Sequence, residues 1–525
     1  MARYNRNTTT NAPRTAVSTV SRDTAAPDAL TFEGGAGWLR EAQAELFLAA
    51  VTDLNEDLFY ESAGDRAERI ERLVAGVAVS DPTWVLGLVG WLRRTAGLRS
   101  SAVNVAVAAA HARFVAQAAG HTRKIVDAAI ARADEPAELL ACWIARYGRS
   151  IPIAVKRGVG DGAVRTWNEA SVLKWRGKGS RGDVGMRDVL NLVHPSPKDA
   201  RQGALFEAIL TEAYGREAVL DDLLIMRARR DFLALGRGEQ LSTLLEDGST
   251  IRRDAALTHE VIAGALGTIP GEVWEELVDS MGYTALMMNL RRIVESGVSA
   301  EVVREVSDRL ADPDEVRRSG VMPVRLLSAY RNAPLEFAPA LQKAMEVSTE
   351  NVPALKGRTL VLVDCSGSMS YPLSERGTLT RMDAASVFGA ALALRGEDVT
   401  LVRFGSDSEE VAHRRGDGVL RLADRMPSDM GGTNTRGAVD RHYAGHDRVI
   451  VLTDEQAGFS GYYGRGDVFA SVPEKVHAFT WNLAGYRAGH APSGAHRHAF
   501  GGLSDASFDL VERVEHGFAG AWPWE

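Results

Sequence analysis

The chain has 525 residues, far more than the roughly 150 of one typical domain, so its length predicts two or three domains. Its 45% hydrophobic and 25% charged residues are those of a globular protein with a large core. A net charge of −8 excludes a uniformly basic polyanion binder, so a nucleic-acid site has to be a local patch. Two distant cysteines, Cys142 and Cys365, exclude a disulfide framework and a cysteine zinc site, and they suit a reducing compartment.

Residues 1–28 are rich in Ser, Thr and Arg and lack an apolar core segment, which predicts a disordered tail and no secretion signal. The most apolar stretch, Ser101–Gly120, is broken by Asn104, His111, Arg113 and Gln117, so no membrane span is expected. The expected location is the cytoplasm.

From residue 29 to 355 the pattern is helical almost throughout. "RAERIERLVAGVAVS", "DPTWVLGLVGWLRRTAG" and "GEVWEELVDSMGYTALMMNLRRIVESG" repeat apolar residues at helical spacing, with short Gly, Asp or Pro breaks between them. Consecutive helix pairs without one bundle period predict an α-solenoid in which each pair buries a face on the next.

Inside this half lies "LKWRGKGSRGDVGMRDVLNLVHPSPKDAR", Leu173–Arg201. Lys174, Arg176, Lys178, Arg181, Arg187, Lys198 and Arg201 outnumber Asp183, Asp188 and Asp199, and His194 follows a short predicted helix. On an acidic chain such a patch points to phosphate groups, and Trp167 and Trp175 are candidates for stacking on unpaired bases. Further on, Arg291 and Arg292 share a predicted helix and Arg325 follows Pro323; these are weaker RNA-binding candidates, with salt bridges between repeats as the competing reading.

Residues 356–525 change texture. "RTLVLVD", "DVTLVRFGS", "DRVIVLTDE" and "KVHAFTWNLAG" read as strands, and "MDAASVFGAALALRG" and "TRGAVDRHYAG" as helices between them. That alternation predicts a doubly wound parallel sheet with its site at the carboxyl ends of the strands, where strand order reverses. At one such end stands "DCSGS", placing Asp364, Ser366 and Ser368 together. "GGTNT" adds Thr433 and "VLTDE" adds Asp454. Three hydroxyls and two carboxylates are hard oxygen donors for a divalent cation, Mg²⁺ foremost.

This five-residue pattern resembles the metal-ion-dependent adhesion site of von Willebrand factor A domains. The resemblance implies that Asp364, Ser366, Ser368, Thr433 and Asp454 hold the ion and leave a position for an acidic group of a partner. Phosphatase and hydrolase signatures fit less well: Ser366 stands where a second acid is required, and no G-x-S-x-G is present. The expectation is a binding protein, not an enzyme. His490, His496 and His498 form a candidate metal group that lacks a fourth ligand, which favours a plain loop.

The helical half carries a second resemblance. "KWRGKGSRGDVGMRDVLNLVHPSP", "MGYTALMMNLRRI" and "MPVRLLSAYRNA" are similar to the TROVE module of Ro autoantigen proteins and their bacterial orthologues; "HAFTWNLAGY" and "HRHAFGGLSDASFDLV" are similar to their carboxyl ends. The likeness runs from about Leu30 to Val514. It implies a HEAT-like helical ring followed by an A domain, in a monomer that binds a small noncoding Y-like RNA on a basic outer surface. It further implies that single-stranded 3′ ends of misfolded RNA enter a central hole, and that polynucleotide phosphorylase or another exoribonuclease is a partner. Lys174, the basic residues around Arg181, Arg187 and His194 fall on the matching RNA segment. The alternative from the metal pattern is a protein-binding adaptor acting through the A domain.

Overall fold

The computed structural model describes residues 27–31, 34–52, 63–175, 184–350, 352–373, 379–426, 429–457, 467–492, 496–502, 508–515 and 522–525. The tail expected at residues 1–28 lies almost wholly outside this set. The chain divides into two compact units: residues 1–52, 58–62 and 350–525 form one, and residues 53–57 and 63–349 the other.

The first unit begins with two short antiparallel strands, β1 (Ala29–Leu30) and β2 (Ala36–Leu39), and the helix Ala42–Val51. Its main sheet is built from β3 (Arg358–Asp364), β4 (Asp398–Phe404), β5 (Ser408–Glu410), β6 (Arg448–Thr453), β7 (His477–Asn482) and β9 (Arg497–Gly501), in the order β5-β4-β3-β6-β7-β9. Strands β4, β3, β6, β7 and β9 run parallel, and β5 turns back antiparallel at the edge. Six of the seven residues of β3 and all six of β6 are buried, as expected of strands covered on both faces. Leu360, Leu362, Val402, Phe404, Val449 and Val451 anchor the core on one side. From β3 the chain crosses through helix Arg381–Arg395 to β4 on one side, while β6 adds on the other. The reversal of strand order therefore falls between β3 and β6.

β2 pairs antiparallel with β8 (Ala488–Gly489), Trp38 opposite Gly489 and Leu39 opposite Ala488. Phe47, wholly buried, packs against Trp522 and Trp524, so the "WPWE" end docks on helix Ala42–Val51. Residues 29–52, which the sequence pattern places with the helical half, thus group with the sheet. The pairing that captures them lies more than 400 residues away in the chain, beyond reach of local periodicity.

The second unit is helical. Helix Ala63–Ser80 packs on Arg99–Val115, Thr122–Ala128 on Ile153–Thr166, Arg237–Asp254 on Gly271–Val278, and Ala300–Ala311 on Ala338–Ser348. Several helices start on an acid that accepts a backbone N–H of the first turn: Asp81 from Trp84, Asp199 from Gln202 and Asp312 from Glu315. Buried carboxylates join neighbouring helices. Glu135 pairs with Arg93 at 2.7 Å and accepts the N–H groups of Ala131 and Arg132. Glu169 pairs with Arg201 at 2.6 Å and accepts the N–H groups of Ile225 and Met226. Among the described residues no helix is long and apolar enough to cross a membrane.

Candidate functional site

In the sheet unit, the five oxygen donors read from the sequence are buried at the reversal point. Asp364 ends β3 and Asp454 directly follows β6. Asp364 Oδ1 accepts the N–H of Ser366 at 2.9 Å, and Oδ2 accepts the hydroxyl of Thr453 at 2.5 Å. Ser366 Oγ and Ser368 Oγ are 3.4 Å apart. The loop carrying Thr433 is tied to this turn through Gly367 N–H to Gly431 O (2.8 Å) and Met430 N–H to Cys365 O (2.9 Å). Gly431 has φ +80°, and a side chain there would meet Ser406 Oγ at 2.8 Å, so the loop needs a glycine at this turn. Asn434 then caps helix Thr435–His442 by accepting the N–H of Gly437. Burial, with the charge of Asp454 adding to it, pushes the Asp364 carboxyl up to about 7.

The histidines separate. His490 is fully buried and bonded to Thr480 Oγ1 at 3.0 Å. His496 and His498 instead meet His477 at the start of β9. Among the described residues no group of three or more His, Cys, Asp or Glu is arranged to hold a metal ion.

In the helical unit a cavity of about 1200 Å³ opens among helices that sequence does not link. Its lining includes Lys174, Trp175, Met288, Arg291, Arg292 and Arg318. Lys174, Arg291, Arg292 and Arg318 have no carboxylate partner within ion-pair distance among the described residues. Arg291 is steered by donating to Asn332 O at 3.0 Å, and Arg292 by a 3.4 Å contact with Asn289 Oδ1. Arg309 also borders the cavity, but Glu315 neutralises it through two hydrogen bonds and Met281 O accepts a third. Its role is to hold the helices.

The cavity gathers three of the expected RNA residues: Lys174, Arg291 and Arg292. Arg187, His194, Lys198 and Arg325 are exposed and lie outside its lining. His194 closes helix Met186–Val193 in a left-handed conformation, φ +52°. Arg176, Lys178 and Arg181 fall outside the described residues. One other expectation is corrected: Trp167 is 1% exposed with its indole N–H on Ala133 O, so it belongs to the core. Arg201 is paired with Glu169 while its side chain stays exposed. Sequence reading missed Arg318 and Met288; no local pattern connects them to Lys174.

Residues 267–381 match the TROVE domain family. A stretch of 140 residues is 32% identical to the RNA-binding protein RO60 of Caenorhabditis elegans, covering 23% of this chain and 22% of that relative. The crystal structure of the Ro (RSR) protein of Deinococcus radiodurans superposes with a TM-score of 0.62 at 20% identity, over 90% of this chain and 99% of that one. Residues 267–381 are thus similar to a TROVE domain, and the chain has the fold of that Ro protein. The resemblance to Ro proteins read from the sequence is thereby borne out. The TROVE match holds Met288, Arg291, Arg292 and Arg318, whereas Lys174 and the basic segment after it precede the match.

Proposed function

We propose that this chain is a non-enzymatic RNA-binding protein of Ro type, with the helical unit as its RNA module. The observation that carries this reading is the cavity with four cations that no described carboxylate neutralises. The lining carries two carboxylates, Glu260 and Glu315, the second paired with Arg309, so cations are in excess there. Clustering like charges costs stability, and a polyanion recovers that cost. The curated relative is named for RNA binding, which supports the same reading. Unpaired RNA ends occupy the cavity. A small structured Y-like RNA lies on the exposed basic side chains of Arg187, His194 and Lys198, together with the segment 176–183. In this reading the helices form a HEAT-like ring in a cytoplasmic monomer, and polynucleotide phosphorylase or another exoribonuclease receives the RNA for quality control or decay.

In the same reading the sheet unit is a von Willebrand factor A domain. Its donor set fits a divalent cation: two buried carboxylates raise each other's cost of ionisation, and neutral hydroxyls lie alongside. Asp364, Ser366, Ser368, Thr433 and Asp454 would hold Mg²⁺. The ion would supply a position for a partner's carboxylate oxygen. This same site favours a second reading, a protein-binding adaptor that grips an acidic partner.

Purification from its own cells without ribonuclease, followed by sequencing of the bound RNA, separates the two. Recovery of one abundant structured small RNA, released by moderate salt and lost in a Lys174→Ala/Arg187→Ala/His194→Ala variant, is expected. A folded, RNA-free preparation would overturn the RNA reading in favour of the adaptor.

A further inference from the structure

Four cations account for phosphate binding, but they do not account for the two large apolar side chains Trp175 and Met288 in the same lining. Trp175 ends helix Glu169–Trp175 and lines the cavity. The Arg132 guanidinium lies 3.9 Å from its ring centroid, and Lys174 Nζ lies 5.3 Å away. Arg132 is itself fixed by Asp134, with Nε–H donating to Oδ1 at 3.0 Å and Nη2 pairing with Oδ2. A guanidinium anchored in this way holds the indole in one orientation. Met288 is the other residue. It is 72% exposed on helix Tyr283–Glu295, in the same lining as Arg291 and Arg292 on the turn that follows it. A bare thioether among cations contributes nothing to a phosphate, whereas it packs well on a flat aromatic face.

We propose that Trp175, backed by Arg132, and Met288 form a base-stacking platform, so that the cavity holds unpaired RNA by its bases as well as its phosphates. The cavity exceeds the roughly 300–1,000 Å³ of a small-molecule pocket, which suits a length of chain better than a single metabolite. Bases inside a duplex have both faces covered by neighbours, so the platform selects unpaired RNA. Purines, with the larger face, stack better than pyrimidines. The inference rests on the RNA reading of the same site.

The test titrates the full-length protein with labelled oligo(A), oligo(U) and an abasic ribose–phosphate chain of equal length. The same is done for Trp175→Ala, Trp175→Phe and Met288→Ala, each checked for folding by circular dichroism. Oligo(A) should bind on the order of tenfold tighter than the abasic chain, with oligo(U) between them. Trp175→Ala should bring that ratio close to one through a loss for oligo(A) that far exceeds any loss for the abasic chain, Trp175→Phe should keep most of the ratio, and Met288→Ala should lower it in part. Equal, salt-sensitive binding of all three chains by the unmodified protein would sink the platform and spare the RNA reading. An equal loss for oligo(A) and the abasic chain in Trp175→Ala would show that the ring is only structural. Failure of every chain to bind would remove the RNA reading, and the platform with it.

Discussion

Arg40 forms an ion pair with Glu455 in which the two side chains are 6% and 2% exposed, although 415 positions separate them. Asn482 Nδ2 donates to the same carboxylate, so Glu455 is satisfied only while the segment before helix Ala42–Val51 stays docked on the sheet. Removing one partner of such a pair leaves a buried charge. Arg40→Ala should therefore destabilise the sheet unit by about 3–5 kcal/mol. The double replacement Arg40→Met/Glu455→Leu removes both charges and should cost clearly less than either single change. Urea unfolding followed through tryptophan fluorescence of the sheet unit measures both. Equal losses for the double and single variants would show that the pair is not what holds the segment.

Acid should weaken the same unit. His477 Nδ1 and His498 Nε2 are 3.0 Å apart and share one proton, with His496 packed edge-on against His477. Burial, with the charges of His477, His496 and Arg497 adding to it, pulls His498 down to about 3; burial also lowers His477. Burial pulls His490 to about 4, and nearby Glu455 only partly offsets this. Each imidazole has a folded-state pKa below its unfolded value near 6.5, so the unfolded chain binds protons first as pH falls. The stability they contribute is full above about pH 6.5 and is lost on going down toward pH 4. For His490 and His498 together the loss is about 3 kcal/mol per pH unit. Melting temperature should hold level from pH 7.5 to about 6.5 and then fall down to pH 5, and His498→Phe should flatten that fall. A melting temperature constant across that range would refute the assignment.

Salt should read out the cavity cations. With Lys174, Arg291, Arg292 and Arg318 each meeting one phosphate, log affinity for single-stranded RNA should fall against log salt with a slope of about −3. Arg291→Ala and Arg292→Ala should each reduce that slope by about 0.7 and weaken oligo(A) and oligo(U) by similar factors. Arg325→Ala, whose side chain is exposed outside the cavity, should change neither. A slope unchanged in Arg291→Ala would place the phosphates elsewhere.

The sheet was legible in the sequence because its strands are covered on both faces. Runs such as Leu360–Val363 and Val449–Leu452 admit no polar residue, and the helices between them restart on caps such as Thr380 and Asn434. The five oxygen donors were legible because strand ends are marked locally. The hydrogen bond from Thr453 to Asp364 follows from the parallel register that sets Leu452 beside Val363. Trp167 was misread because an indole beside a basic segment looks the same in sequence whether it faces solvent or the core. The pairing of Arg201 with the buried Glu169, 32 positions away, leaves no mark in the local pattern. Arg132, in the turn before helix Glu135–Tyr147, meets Trp175 at the end of helix Glu169–Trp175 through tertiary packing, a relation that periodicity does not encode.

The metal pattern yields the last prediction, and its logic is electrostatic. Asp364 and Asp454 share a dry site, and burial together with their mutual repulsion drives Asp364 up to about 7. Only a cation or a shared proton relieves such a pair. A bound cation binds the folded state alone, so Mg²⁺ at about 100 times its dissociation constant should stabilise the sheet unit by about 2.7 kcal/mol. Thermal melts with Mg²⁺ against EDTA should show that shift in the unmodified protein. Ser366→Ala and Thr433→Ala each remove one hydroxyl donor and should shrink the shift. Asp364→Asn should abolish it while raising stability in EDTA, because it removes the repulsion without changing shape. A Mg²⁺ shift that survives Asp364→Asn would place the ion elsewhere in the protein. Absence of any shift, with Asp364→Asn still stabilising, would mean that the two carboxylates are relieved by a shared proton instead.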